Sequence, residues 1–195
     1  MKGVVFTEFM DMVAERYGYE TLDEVLAGAK LPHNGAYTAV GTYPHTEIVA
    51  LVVSLSSKVG SPPDALVRAF GRHLFGRFAE LYPVFFQDVP DALTFLERVD
   101  SVIHVEVRKL YPDAELPRFQ ASRRADGGLN LLYLSSRHFA DLAEGLIEGC
   151  AEHFKQPLMV QRRNQPVADG SAGSAVMFHV SPASGVAASP DRVAA

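Results

Sequence analysis

The sequence predicts an α+β fold, in which an N-terminal lobe of helices is followed by a C-terminal lobe of helices and a four-stranded antiparallel sheet. Two observations carry this prediction. Apolar side chains recur at helical spacing in successive segments of the first 110 residues, and four short strand-like runs follow. The chain has 195 residues, 48% of them hydrophobic and 12 of them phenylalanine, which is enough to bury a sizeable core in one domain.

The first helix is indicated by apolar residues at positions i, i+3, i+4, i+7 and i+11, and it is predicted to end near Gly18. These residues are Phe6, Phe9, Met10, Val13 and Tyr17. A short second helix is predicted from Thr21, which has capping-box spacing with Glu24, to about Gly28. Residues 31–45 are rich in glycine, proline, histidine and asparagine, so they are predicted to form a loop.

Two histidines of this loop, His33 and His45, are expected to have surface or capping roles. A third helix is predicted over residues 46–59. Its inward-facing residues are expected to be Val49, Val52 and Leu55. A fourth helix should begin at Ser61-Pro62, with Ser61 as the N-cap and Pro62 at the first helical position.

The fourth helix carries a broad apolar stripe, which is core by default. Its members are Leu66, Phe70, Leu74, Phe78 and Leu81. If a flat cofactor lies against this stripe, Leu74 and Phe78 would form a water-free wall of its pocket. A further helix is predicted over residues 90–110. Its apolar contacts are assigned to Leu93, Leu96, Ile103, Val107 and Leu110.

The C-terminal half contains the sheet. Its strands are predicted at residues 118–123, 129–134, 158–161 and 175–180. Glycine turns at 126–128 and at Asp169-Gly170 make two hairpins, most simply in one antiparallel sheet, and a helix from Arg137 to about Phe154 separates them. From Pro182 onward the Ala/Ser/Gly/Pro composition predicts a disordered tail, 182–195, after a folded domain of residues 1–181.

Composition narrows the classes of partner. The formal charge of −5, the pI near 5.8 and the lack of a basic run give no support to nucleic-acid binding. Acidic residues interrupt the N-terminal apolar pattern, and the longest apolar run, 48–55, is too short to cross a bilayer. We therefore expect a soluble cytoplasmic protein without a membrane span. Cys150 is the only cysteine and is expected to be a buried helix residue.

One short segment, Tyr133-Leu134-Ser135-Ser136-Arg137, concentrates three polar groups at a strand-to-helix corner. Tyr133 and Ser135 share a strand face, and Arg137 offers a planar fork of donors suited to a carboxylate or a phosphate. Together they suit an acidic group of a ligand. Taken alone, the pattern favours a plainer interpretation, with Arg137 solvated at the helix start and Tyr133 half-buried in the strand.

The Tyr-x-Ser-x-Arg pattern resembles the propionate-holding motif of the H-NOX family, the haem nitric oxide/oxygen binding domains. The resemblance extends from Met1-Lys2-Gly3 to about Ser181. It aligns His104 with the residue that binds the haem iron on its proximal side. By itself, a lone histidine in the apolar run 102–107 is more often a hydrogen-bonded core residue.

The resemblance implies a haem b (iron protoporphyrin IX) between the two lobes, with His104 on the iron and Tyr133, Ser135 and Arg137 on the propionates. It further implies that Pro117 presses on the porphyrin, whereas by itself Pro117 could be an ordinary loop proline. The apolar residues assigned to the rest of the pocket are Val5, Phe9, Leu74, Phe78, Leu142 and Leu146.

The resemblance also suggests which gas is bound. Oxygen-binding relatives carry a tyrosine that donates a hydrogen bond to bound oxygen on the helix after the motif, where this chain has Leu142. We therefore expect binding of NO and CO without a stable oxygen complex. NO would weaken the iron–histidine bond opposite to it, so that release of His104 moves the N-terminal lobe.

No kinase, cyclase or diguanylate-cyclase motif is present, so the chain is not expected to be an enzyme. In bacterial relatives the partner acting in trans is commonly a sensor histidine kinase or a cyclic-di-GMP enzyme. A haem-free module that binds another acidic apolar ligand is the first alternative, and it would make His104 a core residue. A haem peroxidase is the second alternative, and the apolar pocket residues argue against it.

Overall fold

The computed structural model describes residues 1–166 and 173–183, and the predicted α+β class is confirmed there. The helices are α1 (Gly3–Tyr17), α2 (Tyr19–Ala29), α3 (His45–Val59), α4 (Pro63–Leu81), α5 (Ala92–Arg98), α6 (His104–Leu110) and α7 (Ala140–His153). The strands are β1 (Arg118–Arg123), β2 (Leu129–Ser135), β3 (Leu158–Gln165) and β4 (Ser174–Pro182). Within these ranges, no helix combines the length and the apolar character needed to cross a bilayer.

The N-terminal lobe consists of α1, α2, α3 and one face of α4. Its core contains many of the predicted apolar positions of these helices, and the best buried of them are Phe6, Phe9, Val13, Leu55, Phe70 and Leu74, each no more than 2% exposed. Leu51, which was not among the predicted inward-facing residues of α3, is fully buried as well. Gly18 ends α1 with a backbone φ of +88°, and Gly60 ends α3 with a φ of +70°, which a side chain would strain.

Several predicted details of these helices are wrong. Thr21 lies inside α2, and its hydroxyl donates to the carbonyl of Tyr17 at 2.8 Å, so no capping box forms. Pro62, not Ser61, is the N-cap of α4. Val49 is 44% exposed because α3 turns that face outward. Leu81, at the last turn of α4, is likewise half-exposed.

Helices α4 and α7 approach each other closely because glycine lies at the contact. A Cβ atom on Gly145 would lie 2.0 Å from the carbonyl oxygen of Arg68, and one on Gly71 would lie 2.5 Å from that of Leu142. Side chains larger than hydrogen therefore do not fit. This contact joins the helix that serves both lobes, α4, to the C-terminal lobe.

The sheet is antiparallel throughout, in the order β1-β2-β4-β3, so the two predicted hairpins meet through β2 and β4. Alternate residues of β2 and β4 are buried beneath α5 and α7, as a half-buried antiparallel sheet requires. The predicted turn at Asp169-Gly170 lies outside the described residues. At the predicted boundary between domain and tail, Pro182 ends β4 and the Ala183 N–H donates to the carbonyl of Pro157 at 2.9 Å. Residues 184–195 lie outside the described ranges.

The helix predicted over residues 90–110 is not one regular helix. It begins at Ala92, where Asp91 caps it by accepting from the Thr94 N–H at 2.7 Å. Between α5 and α6 lies a π-helical turn at Val99–Ile103, a feature that often marks functional sites. His104 follows this turn directly. Leu110, assigned to apolar contacts, is 64% exposed at the end of α6.

Candidate functional site

A cavity of about 640 Å³ lies between the two lobes, within the usual range for small-molecule sites. The N-terminal lobe contributes the start of α1, the segment 42–45 and part of α4. The C-terminal lobe contributes α6, the segment 111–117, β2 and the first half of α7. The lining is predominantly apolar, with polar groups concentrated in a few places.

His104 lines this cavity from the first turn of α6, with its side chain only 12% exposed. Its Nδ1 lies 3.3 Å from Oδ1 of Asp100, one helical turn earlier, and the Phe119 N–H donates to the same oxygen at 3.2 Å. With the proton on Nδ1, Nε2 keeps the lone pair that a metal requires. Burial lowers the pKa of His104, although Asp100 opposes the effect, and the neutral ring is the form that binds a metal.

Tyr133, Ser135 and Arg137 are brought together at the polar part of the lining, as their spacing predicts. Ser135 Oγ accepts from the Arg137 N–H at 3.0 Å, which fixes the turn after β2. The Arg137 side chain is 13% exposed, and its guanidinium pairs with the carboxylate of Glu115. Burial raises the pKa of Tyr133, which keeps its hydroxyl a donor.

The corner itself differs from the prediction in one respect. Helix α7 begins at Ala140, three residues after Arg137, so Arg137 is not at the mouth of the helix. Binding of an acid at this corner therefore depends on the side chains rather than on the first N–H groups of α7.

The apolar wall is formed largely as predicted. Leu74 and Phe78 come from α4, Leu142 and Leu146 from α7, and Val5 from α1, and all five line the cavity. Pro117 lines it as well.

Phe9 is the exception, because the structure does not bring it to the cavity. It lies one turn beyond Val5, is fully buried, and packs edge-to-face on Phe70 with ring centroids 5.1 Å apart. The side of α1 that carries Phe9 therefore faces the N-terminal core.

Sequence reasoning missed several polar residues at this site, among them Asp100, Glu115 and His45. Asp100 could have been found, because a carboxylate four residues before a histidine shares its helical face. Glu115 and His45 could not, because both reach the cavity from loops or helix ends far from Arg137 in sequence.

The groups that line this cavity match those that haem requires. An iron porphyrin with two propionates requires an axial donor, flat apolar walls and cationic or hydroxyl donors for its acids. The cavity supplies an imidazole with an oriented proton, leucine and phenylalanine side chains, and Arg137 with two hydroxyls. The residues present fit the group, so this fold and cavity are those of a domain suited to bind haem.

The chain belongs to the Haem-NO-binding (HNOB) family, whose model matches residues 2–162. Its structure is similar to the H-NOX protein of Shewanella woodyi, solved bound to IWP-051 in the Fe(II)CO state. The two are 42% identical with a TM-score of 0.79, over 98% of this chain and 99% of that one. The unliganded Fe(II) H-NOX protein of K. algicida is 30% identical with a TM-score of 0.80, over 96% and 100%.

Two further relatives extend the comparison. The H-NOX protein of S. oneidensis in the Fe(II)NO state is 26% identical with a TM-score of 0.82, over 93% of this chain and 99% of that one. Soluble guanylate cyclase 89Db of Drosophila melanogaster is 27% identical over 143 residues, 70% of this chain. The match spans only 20% of that cyclase's length. Domains of this family are haem-based gas sensors and are not themselves catalytic.

Proposed function

We propose that this protein senses NO at a ferrous haem b, also binds CO, excludes oxygen, and signals to a separate protein by releasing His104. The observation that carries the proposal is the cavity, which brings His104, an apolar wall and the Tyr133, Ser135 and Arg137 side chains together. When bound, ferrous haem would supply an iron that binds diatomic gases, and His104 is the residue that would hold this iron.

The residues divide into three roles. His104 would hold the iron through its imidazole, and Asp100 orients the ring by accepting a hydrogen bond from Nδ1–H. Arg137, Ser135 and Tyr133 hold the acid groups of the cofactor by donating hydrogen bonds to them.

We expect oxygen to be excluded because the apolar wall of the cavity offers no hydrogen-bond donor at Leu74, Leu142 and Val5. Bound oxygen carries partial negative charge and needs a donor, whereas Leu74, Leu142 and Val5 present only carbon atoms. Tyr82 also lines the cavity, and its hydroxyl is a hydrogen-bond donor that would favour oxygen binding if it reached the gas. Its ring packs between Phe78 and Phe85, near the end of α4.

The signal begins with His104 and passes along α6. The segment after α6 contacts the N-terminal lobe at Asp113, whose carboxylate accepts from the Thr42 hydroxyl at 3.0 Å and lies 3.4 Å from Lys2 Nζ. Movement of α6 after His104 is released would therefore pull on the N-terminal lobe. The free energy for this change is the difference between holding and releasing the imidazole.

We further propose that the receiver in trans is a sensor histidine kinase or a cyclic-di-GMP enzyme. The support is similarity to bacterial H-NOX proteins over nearly the whole chain. The partner can be tested by adding the purified protein, with and without NO, to each class of enzyme and measuring its activity.

The gas preference is tested by the absorption spectrum of the reduced, haem-loaded protein under argon, air, CO and NO. We expect new spectra with NO and CO, and in air only slow oxidation. A persistent oxygen-bound spectrum would contradict the exclusion of oxygen, and the variant Tyr82→Phe would then show whether its hydroxyl is the donor. Protein that takes up no haem would contradict the proposed function as a whole.

A further inference from the structure

The acid-binding part of the cavity has a contribution from the N-terminal lobe that neither the motif nor the family match assigns. His45, the first residue of α3, lines the same cavity as Arg137 and Ser135. The two sides are far apart in sequence, and they meet only because the lobes close around the cavity.

The surroundings of His45 leave its ring nitrogens available. In the described part of the chain, no group forms a hydrogen bond with its imidazole, unlike His33, whose Nδ1 pairs with Glu47 at 2.9 Å. The ring stands edge-to-face against Phe139, with centroids 6.2 Å apart, so its orientation is supported by packing. An oriented imidazole with free nitrogens beside a guanidinium is suited to a carboxylate.

Electrostatics agree with this placement. Burial lowers the pKa of His45, and the nearby positive charge of Arg137 lowers it further, so both effects favour the neutral imidazole. Glu115 is the acid that offsets them, and it already pairs with Arg137. A neutral imidazole keeps one N–H, which can donate to a carboxylate that the Arg137 guanidinium also binds.

We propose that His45 binds an acid group of the cofactor, donating a hydrogen bond from its imidazole while Arg137 binds from the other lobe. The inference rests on the proposed function, because the carboxylate in question is a propionate of haem. Its consequence is that the acid edge of the cofactor ties α3 of the N-terminal lobe to the turn after β2.

The test uses the full chain loaded with either haem b or haem dimethyl ester, in which both acids are esterified. Loss of each porphyrin is followed by its transfer to an excess of a haem-free globin. For His45→Ala, we expect haem b to leave about tenfold faster, as for a hydrogen bond to a charged acceptor, and the ester to leave at the parent's rate. His45→Gln, which keeps an N–H donor, should restore most of the retention of haem b.

Two controls make the result specific. His138→Ala removes an exposed imidazole next to Arg137 in sequence, outside the cavity lining, and should change neither rate. His45→Phe keeps an aromatic ring against Phe139 but has no donor, so it should lose haem b about as fast as is expected for His45→Ala. It takes the place of His45→Ala in the comparison if the alanine variant folds poorly. The unfolding midpoint of each haem-free variant is measured alongside.

The possible results distinguish failure of the proposed role of His45 from failure of the proposed haem binding. If haem b and haem dimethyl ester both leave His45→Ala and His45→Phe faster than the parent, and by the same factor, then His45 contributes only packing. That result would overturn the inference. The inference also fails if both variants retain haem b as well as the parent does while Arg137→Ala loses it. If the parent and all variants fail to take up haem, the proposed function itself is wrong.

Discussion

The hydrogen bond from His104 to Asp100 gives the sharpest test of how the site is held. Oδ1 of Asp100 accepts from His104 Nδ1 at 3.3 Å and from the Phe119 N–H at 3.2 Å, and the carboxylate side chain is 31% exposed. Asp100→Ala removes both bonds. It leaves the imidazole without the acceptor that fixes its orientation and its tautomer.

The expected loss of haem affinity in Asp100→Ala follows from the length and exposure of this hydrogen bond. A hydrogen bond to a charged acceptor stabilises by about 1.5 to 3 kcal/mol. The long distances and the partial exposure place this one at the lower end, about 1.5 kcal/mol, which is about tenfold in affinity. We therefore expect Asp100→Ala to lose haem about tenfold faster and to show a weaker iron–histidine stretching vibration. Asp100→Asn, which keeps an acceptor without the charge, should fall in between.

Glu97, three residues before Asp100, offers a matched control. Glu97 pairs with Arg123 on the exposed surface, so Glu97→Ala removes a carboxylate of the same helix without touching His104. It should leave both haem loss and the stretching vibration unchanged. Asp100 does not hold the His104 ring in this way if Asp100→Ala retains the parent's stretching vibration and rate of haem loss. The same follows if Glu97→Ala changes both quantities as much as Asp100→Ala does.

Two further predictions concern the gas-binding wall and the contact between α4 and α7. Leu142→Tyr places a hydroxyl on the apolar wall, so the reduced variant should hold oxygen in air as a stable complex; a spectrum like the parent's would place residue 142 away from the gas. Gly145→Ala forces a Cβ to 2.0 Å from the Arg68 carbonyl oxygen and should cost about 3 kcal/mol in urea unfolding, the upper end for overpacking. Gly76→Ala in the same helix as Arg68 meets nothing within 4 Å and should instead stabilise by about 0.5 to 1 kcal/mol.

The regular elements were predictable because their causes are local. The apolar repeat of α1 and its end at Gly18 follow from helical periodicity and from the backbone freedom of glycine. Starts of helices were less predictable: Thr21 and Ser61 both have capping chemistry, but Thr21 lies three residues after the N-cap of α2 and Ser61 lies one residue before that of α4. The π-helical turn before His104 leaves no mark in an apolar pattern.

The site was predictable where residues are close in sequence or fixed by the family's motif. Tyr133, Ser135 and Arg137 belong to one segment, and His104 is marked by its resemblance to the iron ligand. The structure places Phe9 in the N-terminal core rather than in the cavity lining, because periodicity predicts which residues are buried but not which of two interiors, core or cavity, they face.

In the proposed function, His104 is the group that binds the iron. The most direct measurement is the absorption spectrum of reduced His104→Gly beside the parent, before and after addition of imidazole. We expect the variant's spectrum to differ from the parent's and to return to it when imidazole fills the space left by the missing side chain. A variant whose spectrum already matches the parent's without imidazole would show that another residue is the ligand and would contradict the account.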